Sequence, residues 1–280
     1  MFFSSISKVS KRIVFYRNAR NSFVSNVFKR FYQYFINSLV LKYSTGILSN
    51  SEEALKHFFS DYPSVNDKRF KVIQNGVPLP LVLSVAGRNE LRKNIGILPT
   101  RKIILHVGSS RWEKNHICML KIAKLCQDNG SDICFCFAGS GIERDYNELA
   151  KKLNLRNILF LGERRDVGSL LQIADCFLFP SLSEGQPNAL IEAVINSVPF
   201  VASNIATVKE TLPLGWGNRW LFNPAKPEEG YLLLIEHMQN DFRNDSDFKD
   251  LVSWCKNTYN QDARFEELLA TFKYDCFNNK

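Results

Sequence analysis

Short apolar runs alternate with longer stretches of helical periodicity from about residue 101 to residue 202. Five runs have the length and composition of buried strands, and they lie at residues 103–107, 133–138, 158–161, 176–179 and 200–202. Between the first two runs, apolar residues recur at i, i+3, i+4 and i+7, which predicts a helix around residues 119–126; residues 149–155 and 189–195 also favour helices. Such alternation is typical of βα units around a parallel sheet, so an α/β fold is predicted.

The chain before residue 101 shows a second, shorter set of elements. Residues 47–59 predict the end of a strand, a helix N-cap and a helix, and residues 70–73 predict another strand. Two prolines within residues 78–81 then form a stiff connection before a helix around residues 90–94. We interpret residues 76–100 as a linker that also leads into the second part of the chain.

The positive charge of the chain is concentrated at its N-terminus. Residues 1–50 hold eight Lys and Arg and no Asp or Glu, whereas the rest of the chain is formally neutral. Large apolar side chains recur at helical spacing among these bases, at Phe23, Val27, Phe28, Phe31, Phe35 and Leu39. Three interpretations stay open: a basic amphipathic helix on an anionic membrane surface, a helix packed on the sheet with its bases in water, and an organelle transit peptide. No RNA or DNA motif accompanies the bases, so nucleic acid is not an expected partner.

Composition limits the classes of protein to which the chain can belong. With 45% hydrophobic residues, 280 residues suffice for one large or two modest globular domains, which excludes disorder. The longest uncharged stretches are shorter than the roughly 20 apolar residues that span a bilayer. Seven cysteines without a CxxC pair, and no signal peptide, indicate reduced thiols and a cytoplasmic location. No group of residues has the spacing of metal ligands, so no metal site is predicted.

The segment from residue 179 to residue 193 carries the densest chemical signal. A strand ends there, a loop holds Glu184 and Gly185, and a helix begins near Asn188. The backbone N–H groups at the start of a helix favour an anion such as a phosphate. Glu184 in the loop and Glu192 in the helix add two carboxylates, which accept hydrogen bonds from sugar hydroxyls. Together these groups predict a site for a nucleotide sugar.

A second group of candidate residues follows the first strand of this domain. Gly108 allows a ligand to approach the backbone, and Arg111 and Lys114 bring two cations to the carboxyl end of a parallel strand. Cations at this place would neutralise a diphosphate leaving group. A third loop with two glycines, at residues 138–141, also follows a strand, and its short pattern has little specificity by itself.

In order and spacing, these pieces resemble family 4 of the retaining glycosyltransferases, the glycosyl transferases group 1, which have the GT-B fold. The E-x7-E segment from Glu184 to Glu192, with its flanks, is the most specific part of the resemblance. The other matching pieces are Val107-Gly108 with Lys114-Asn115, Ala138-Gly139-Ser140-Gly141, Phe160-Leu161-Gly162 with Arg165-Asp166-Val167, Ala174-Asp175, Pro180-Ser181, residues 198–203 and Glu210.

The resemblance implies a role for each candidate residue. Lys114 would contact the donor diphosphate and Glu184 the transferred sugar, so these two are the expected catalytic residues. Glu192 would hold the ribose of the nucleotide, and the loop at residues 162–166 would line the base. The full set of expected donor-binding residues is Gly108, Arg111, Gly162, Arg165, Gly185, Gln186, Asn188, Ala189, Leu190 and Glu192. No cofactor is expected, and the expected donor substrate is a UDP-sugar.

The implied fold is GT-B-like, with one complete C-terminal Rossmann-like domain after a shortened N-terminal domain. We therefore expect four parts: a remnant of the N-terminal, acceptor-side domain with the basic aromatic helix at residues 1–75, the linker at 76–100, the nucleotide-sugar domain at 101–260, and a C-terminal helix at 261–280 that returns toward the N-terminal part.

The implied activity is transfer of a sugar to an acceptor hydroxyl with retention, in surface polysaccharide or glycan biosynthesis. The expected partners are the nucleotide sugar, a glycan or lipid-linked acceptor, a protein that supplies the acceptor domain, and the inner face of the membrane, where the protein would be peripheral. Two alternatives stay open: a donor-binding subunit without activity of its own, and an inactive truncated product.

Overall fold

The structure is a computed structural model that describes residues 7–18, 27–59, 66–216 and 218–273, together with Ser5 and Tyr62. The chain divides into two compact units. The first comprises Met1–Gly76, Glu184–Gln186 and Gln261–Lys280, and the second comprises Val77–Ser183 and Pro187–Asn260. The loop residues Glu184–Gln186 therefore cluster with the first unit, although the chain on either side of them belongs to the second unit.

The first unit is built on a small parallel sheet with strand order β1-β2-β3. Its strands are β1 (Ile13–Tyr16), β2 (Gly46–Ser49) and β3 (Phe70–Val72), and its first two helices are α1 (Val27–Tyr43) and α2 (Glu52–Phe58). Val40 of α1 packs with Ile47, Leu55 and Phe59 in one small core. The Ser51 hydroxyl accepts from Ala54 N–H at 3.2 Å, which confirms the predicted N-cap of α2.

The second unit is a six-stranded parallel sheet with helices on both faces. Its strand order is β6-β5-β4-β7-β8-β9. The strands are β4 (Lys102–Val107), β5 (Ile133–Ala138), β6 (Ile158–Gly162), β7 (Cys176–Phe179), β8 (Phe200–Ser203) and β9 (Leu221–Phe222). The helices are α3 (Val85–Asn94), α4 (His116–Asp128), α5 (Ile142–Lys152), α6 (Val167–Ile173), α7 (Asn188–Ile195), α8 (Ala206–Glu210), α9 (Pro227–Gln239) and α10 (Ser246–Thr258).

Two layers of apolar packing, one on each face, hold the second sheet. Leu105 of β4 lies in the core that also contains Leu190 and Leu251, and the neighbouring Ile104 lies in the core with Leu120 and Leu234. Strands buried on both faces have continuous apolar sequences instead of alternating ones. This is why the apolar runs locate the strands, and the α/β prediction with a parallel sheet is confirmed.

The segment before β4 contains the predicted helix, but α3 begins five residues earlier than the expected residue 90 and ends at residue 94 as expected. The chain clusters with the second unit from Val77 onward. Ser84 caps α3 by accepting from Gly87 N–H at 3.1 Å. Helix α5 also begins earlier than the predicted residue 149, directly after Gly141, and ends at Lys152 before the left-handed Asn154.

The last helix, α11 (Gln261–Lys273), belongs to the first unit. Lys71 Nζ donates to Thr271 Oγ1 at 3.2 Å and lies 3.8 Å from Glu267 Oε1. A Cβ atom on Gly76 would lie 2.5 Å from the Gln261 Cα atom, so the backbone at the end of the first segment packs directly on the start of α11.

Six of the seven cysteines lie in the described part of the chain, and all six are buried free thiols of the second unit: Cys118, Cys126, Cys134, Cys136, Cys176 and Cys255. Cys134 and Cys136 lie on one face of β5 with their sulfur atoms 3.9 Å apart. Cys276 lies outside the described residues. Within the described ranges, no helix has the length and apolarity needed to cross a membrane.

Candidate functional site

The strand order of the second unit creates a switch point between β4 and β7. From β4 the chain continues to β5 and β6 on one side, and from β7 it continues to β8 and β9 on the other. Open parallel sheets bind ligands at the carboxyl ends of the strands beside such a point. The segments after β4 and β7 carry Gly108, Lys114 and the start of α7, so these groups lie where that rule places a ligand.

Glycine-containing loops meet at this edge with backbone against backbone. Gly108 N–H donates to the Ala138 carbonyl at 2.9 Å, and Gly139 N–H donates to the Gly162 carbonyl at 2.7 Å. A Cβ atom on Gly139 would lie 2.0 Å from the Gly108 carbonyl oxygen, so a side chain has no room there. The loops after β4, β5 and β6 are thereby held side by side, and the last of them exposes Gly162 and Arg165.

Lys114 is positioned by a short 3-10 turn, Trp112–Lys114, that follows β4. Its aliphatic chain passes over Gly108, where a Cβ atom would lie 3.2 Å from Lys114 Cδ. Lys114 Nζ lies 5.4 Å from the centre of the Phe179 ring at the end of β7, a cation–π distance. The ammonium group is therefore held between the carboxyl ends of the two strands that form the switch point.

Asn115 ties this turn to two other loops. Its backbone is left-handed, with φ 53°, a conformation that asparagine tolerates better than most residues. Asn115 Nδ2 donates to the Pro180 carbonyl at 3.2 Å and to the Pro224 carbonyl at 3.1 Å. Leu182 N–H donates to the Glu113 carbonyl at 2.7 Å, which adds a second tie to the loop after β7. Asn115 belongs to the family pattern, which gives it no role, and these contacts assign it a positioning role.

The start of α7 offers backbone N–H groups at the same edge of the sheet. Pro187 occupies the N-cap position and has no side-chain group that could accept from the first turn. Asn188 and Ala189 are half-buried there, and Leu190 is buried in the core. Glu192, one turn into the helix, is half-buried, and this burial raises its pKa. The Glu192 carboxylate makes no hydrogen bond or ion pair with another described residue, so it is available to a polar ligand.

Arg111 makes a weaker contribution than its charge suggests. Its guanidinium is exposed and lies 3.0 Å from the carboxylate of Glu113, whose side chain is only 12% exposed. The Glu113 carboxylate therefore offsets the charge of Arg111. Lys114 is the cation that the surrounding backbone and ring hold in place.

Glu184, Gly185 and Gln186 are positioned by the first unit. A Cβ atom on Gly185 would lie 1.9 Å from the Arg17 carbonyl oxygen and 3.2 Å from Asn50 Oδ1, so only glycine fits. Gln186 makes two hydrogen bonds with the backbone of Asn75: Asn75 N–H donates to Gln186 Oε1 at 2.7 Å, and Gln186 Nε2 donates to the Asn75 carbonyl at 3.0 Å. The loop that carries Glu184 is thus anchored through the next two residues, Gly185 and Gln186.

Two histidines lie beneath the loop after β4. His106 and His116 are fully buried, with ring centres 5.0 Å apart, and His106 Nδ1 lies 3.0 Å from the Leu178 carbonyl oxygen. Burial, with a contribution from the charge of Lys114, lowers the pKa of His116 to about 4, and burial lowers that of His106 well below its usual value. Both rings are therefore neutral at pH 7 and act as packed structure under the site.

The structure brings most of the predicted residues to one edge of the second unit. These are Gly108, Arg111, Lys114, Gly162, Arg165, Asn188, Ala189, Leu190 and Glu192, whereas Glu184, Gly185 and Gln186 belong to the first unit. Sequence reasoning missed Phe179 under Lys114, although its position at a strand end was the available signal. Among the residues that the structure describes, no group of three His, Cys, Asp or Glu side chains has the arrangement of metal ligands.

An open parallel sheet with close glycine loops, a lysine and a helix start at its switch point defines a Rossmann-like ligand-binding domain. The family model for glycosyl transferases group 1 matches residues 87–251, which is more than half of the chain. The chain therefore belongs to the glycosyl transferases group 1 family.

Curated relatives match this chain over only part of their length. EpsF of Bacillus subtilis strain 168 is 31% identical over 180 residues, which is 63% of this chain and 47% of that protein. The UDP-Gal:alpha-D-GlcNAc-diphosphoundecaprenol alpha-1,3-galactosyltransferase of Escherichia coli is 29% identical over 147 residues, which is 50% of this chain and 38% of that protein. The chain thus spans less than half the length of these two relatives.

Solved structures match nearly the whole chain in fold. The crystal structure of Anabaena Alr3699/HepE in complex with UDP-glucose has a TM-score of 0.82 and 17% identity, and the match covers 97% of this chain and 74% of that one. A glycosyltransferase from Rickettsia africae has a TM-score of 0.78 and 18% identity, covering 100% of this chain and 74% of that one. These likenesses confirm the expected GT-B-like α/β fold class.

Gly185→Ala tests the anchoring of the loop that carries Glu184. Because the new methyl group would overlap the Arg17 carbonyl, we expect the free energy of unfolding to fall by about 1–3 kcal/mol. Urea unfolding measures this change, and limited proteolysis shows whether the loop is released. Gly168→Ala is the matched control, since a Cβ atom there meets nothing within 4 Å. Equal stability of Gly185→Ala and the wild type would contradict the close packing.

His116 makes the stability of the fold dependent on pH. Its pKa falls from 6.5 to about 4 on folding, so the unfolded chain binds more protons between these two values. The stabilisation is complete above about pH 6.5, and up to about 3 kcal/mol is lost as the pH falls toward 4. Urea midpoints measured from pH 7 to pH 4 should therefore decline less steeply in His116→Gln than in the wild type. His57→Gln, at an exposed position of α2, should keep the wild-type slope; a parallel decline in all three proteins would refute this assignment.

Proposed function

We propose that this chain is a retaining glycosyltransferase that transfers a hexose from a UDP-sugar to an acceptor hydroxyl in polysaccharide or glycan biosynthesis. The observation that carries the proposal is the meeting of Lys114, the Gly108–Gly139 backbone contact and the start of α7 at the switch point between β4 and β7. A cation and the backbone N–H groups at a helix start, both at one edge of the sheet, suit a diphosphate.

The proposed donor lies with its diphosphate near Lys114 and the first turn of α7. Gly108 lets the phosphates approach the backbone, and Glu192 accepts hydrogen bonds from the ribose hydroxyls. The loop that exposes Gly162 and Arg165 lines the base. The choice of UDP draws on the relatives, because the Escherichia coli enzyme is named for UDP-Gal and HepE was solved with UDP-glucose.

The proposed reaction exchanges one bond at the anomeric carbon for another on the same face of the sugar. The bond from the anomeric carbon to the β-phosphate oxygen breaks, and its electron pair stays on the diphosphate, whose charge Lys114 stabilises. The acceptor oxygen forms the new bond, and its proton passes to the departing phosphate. Glu184 positions the sugar through its hydroxyls, in a loop that Gly185 and Gln186 hold in place.

Donor binding is tested by calorimetry with UDP and with uridine. Lys114→Ala removes the cation beside the diphosphate, so UDP affinity should fall about 10-fold to 100-fold while uridine affinity stays the same. Glu192→Gln should weaken both ligands, since both contain the ribose. Lys121→Ala on α4 and Glu236→Gln on α9 change exposed residues that are not part of the proposed donor site. They are the matched controls and should bind like the wild type.

Transfer is tested with the same proteins, a UDP-hexose panel and lipid-linked acceptors. We expect an α-linked product from an α-linked donor, identified by its anomeric NMR signal, and loss of transfer in Glu184→Ala. A β-linked product would refute retention. UDP binding without transfer by the wild type, alone and with candidate partner proteins, would favour a donor-binding subunit; a folded chain that binds neither UDP nor uridine would favour an inactive product.

We further propose that α1 holds the protein at the anionic inner face of the cytoplasmic membrane, close to lipid-linked acceptors. One side of α1 packs into the first unit through Ile36 and Val40, while Phe31, Tyr34 and Phe35 are exposed by 74%, 73% and 53%. Residues 1–50 supply eight bases and no acid. Aromatic rings enter the headgroup region of a bilayer, and bases bind anionic lipids.

Vesicle co-sedimentation tests this membrane contact. The double variant Phe31→Ser with Phe35→Ser should bind vesicles of phosphatidylglycerol and phosphatidylcholine about 10-fold more weakly than the wild type, because two rings no longer enter the bilayer. Leu232→Ser, at a position of α9 that is 66% exposed, is the control and should bind normally. Equal binding by the double variant, or equally tight binding of the wild type to pure phosphatidylcholine, would exclude the proposed contact.

A further inference from the structure

A cavity of about 480 Å³ lies in the second unit between the loop before β9 and helix α10. Because all six strands of this sheet are parallel, the loop leading into β9 lies at the amino edge of the sheet. The donor-site residues Gly108, Lys114 and Gly162 lie at the carboxyl edge. The cavity is therefore separate from the donor site, and its volume falls in the range of pockets that hold small ligands, about 300–1,000 Å³.

Two tryptophans line this cavity. Trp216 comes from the loop and Trp254 from α10, and both are half-buried. Trp216 packs edge-on against Trp220 with ring centres 5.4 Å apart, and Trp254 packs edge-on against Tyr259 at 5.8 Å. Rings braced in this way lose little freedom when a ligand binds. The fully exposed Leu214 extends the apolar rim.

Charged groups of both signs stand beside the rings. On α10, Asp247, Asp250 and Trp254 are spaced at i, i+3 and i+7, so they share one helix face. Arg219 lies 3.6 Å from Asp247 Oδ2 and 3.7 Å from Asp245 Oδ2. Asp250 is exposed and makes no hydrogen bond or ion pair with another described residue. The cavity thus offers a guanidinium donor, a carboxylate acceptor and two apolar faces.

This combination matches a saccharide better than an anion. A pyranose ring has an apolar C–H face that packs on an indole ring, and hydroxyl groups at its edge that both donate and accept hydrogen bonds. Arg219 offsets Asp247, which leaves the Asp250 carboxylate as the net charge of the lining, so an anionic ligand would be repelled.

We propose that this cavity is a second saccharide-binding site, in which Trp216 and Trp254 stack on pyranose rings while Asp250 and Arg219 hydrogen-bond their hydroxyls. It would hold a segment of glycan remote from the bond being formed, and so raise the local concentration of a long acceptor. The choice of a saccharide rests in part on the proposed function, because a glycan-transferring protein meets glycan chains.

Binding of chitohexaose and maltohexaose tests the site, read by calorimetry and by tryptophan fluorescence. At least one hexasaccharide should bind the wild type, and Trp254→Ala should weaken that binding at least 10-fold. Trp254→Phe, which keeps an aromatic face, should restore part of it, and Asp250→Asn should weaken it by a smaller factor. Glu236→Gln on α9 is the matched charge control and should bind like the wild type. UDP affinity is measured in every protein and should not change, since the cavity and the donor site lie at opposite edges of the sheet.

The outcomes separate this inference from the proposed function. If neither hexasaccharide binds at millimolar concentration while UDP binds, or if Trp254→Ala binds as well as the wild type, the saccharide site is refuted and the donor site stands. If tetramethylammonium chloride competes with the sugars or binds in their place, the cavity is a cation site and the inference is wrong. Hexasaccharide binding that depends on Trp254, without UDP binding, would keep the inference and refute the proposed function.

Discussion

The contact between Gly139 and the carbonyl of Gly108 is the constraint on which the carboxyl edge of the second unit depends. With only 2.0 Å available to a Cβ atom, the two loops can approach only as bare backbone. That approach fixes the end of β4 against the end of β5, and the 3-10 turn that follows β4 then carries Lys114 to the ring of Phe179. Two residues without side chains therefore act with Asn115 and Phe179 to position the site lysine.

The two edges of the parallel sheet in the second unit carry different chemical groups. Backbone N–H groups and a lysine lie at the carboxyl edge, where every strand end points its peptide groups in the same direction. The amino edge carries indole rings and mixed charges on α10 and the loop before β9. The apolar layers between the two edges contain mainly packed aliphatic and aromatic groups.

Burial explains which elements the sequence could predict. The bounds of β5 and β7 agree with the apolar runs to the residue, because both strands are buried on both faces and each lies between an Asp and a Gly or Pro. Strand β1 is a run of four apolar residues between Arg12 and Arg17, but the surrounding bases and aromatic residues favour an amphipathic helix, so the sequence does not identify this strand. Strand β9 has only two residues, which is too short for a recognisable run. The anchoring of Gly185 and Gln186 depends on contacts with residues far away in the sequence, which no local pattern records.

Thiol and indole side chains are distributed unequally between the two units. All six described thiols and all four tryptophans belong to the second unit. Burial raises the pKa of Cys118, Cys126 and Cys255 to about 12, so these sulfur atoms stay protonated and unreactive in the native fold. The rate at which these three thiols are alkylated under native conditions would therefore report the transient opening of the second unit alone.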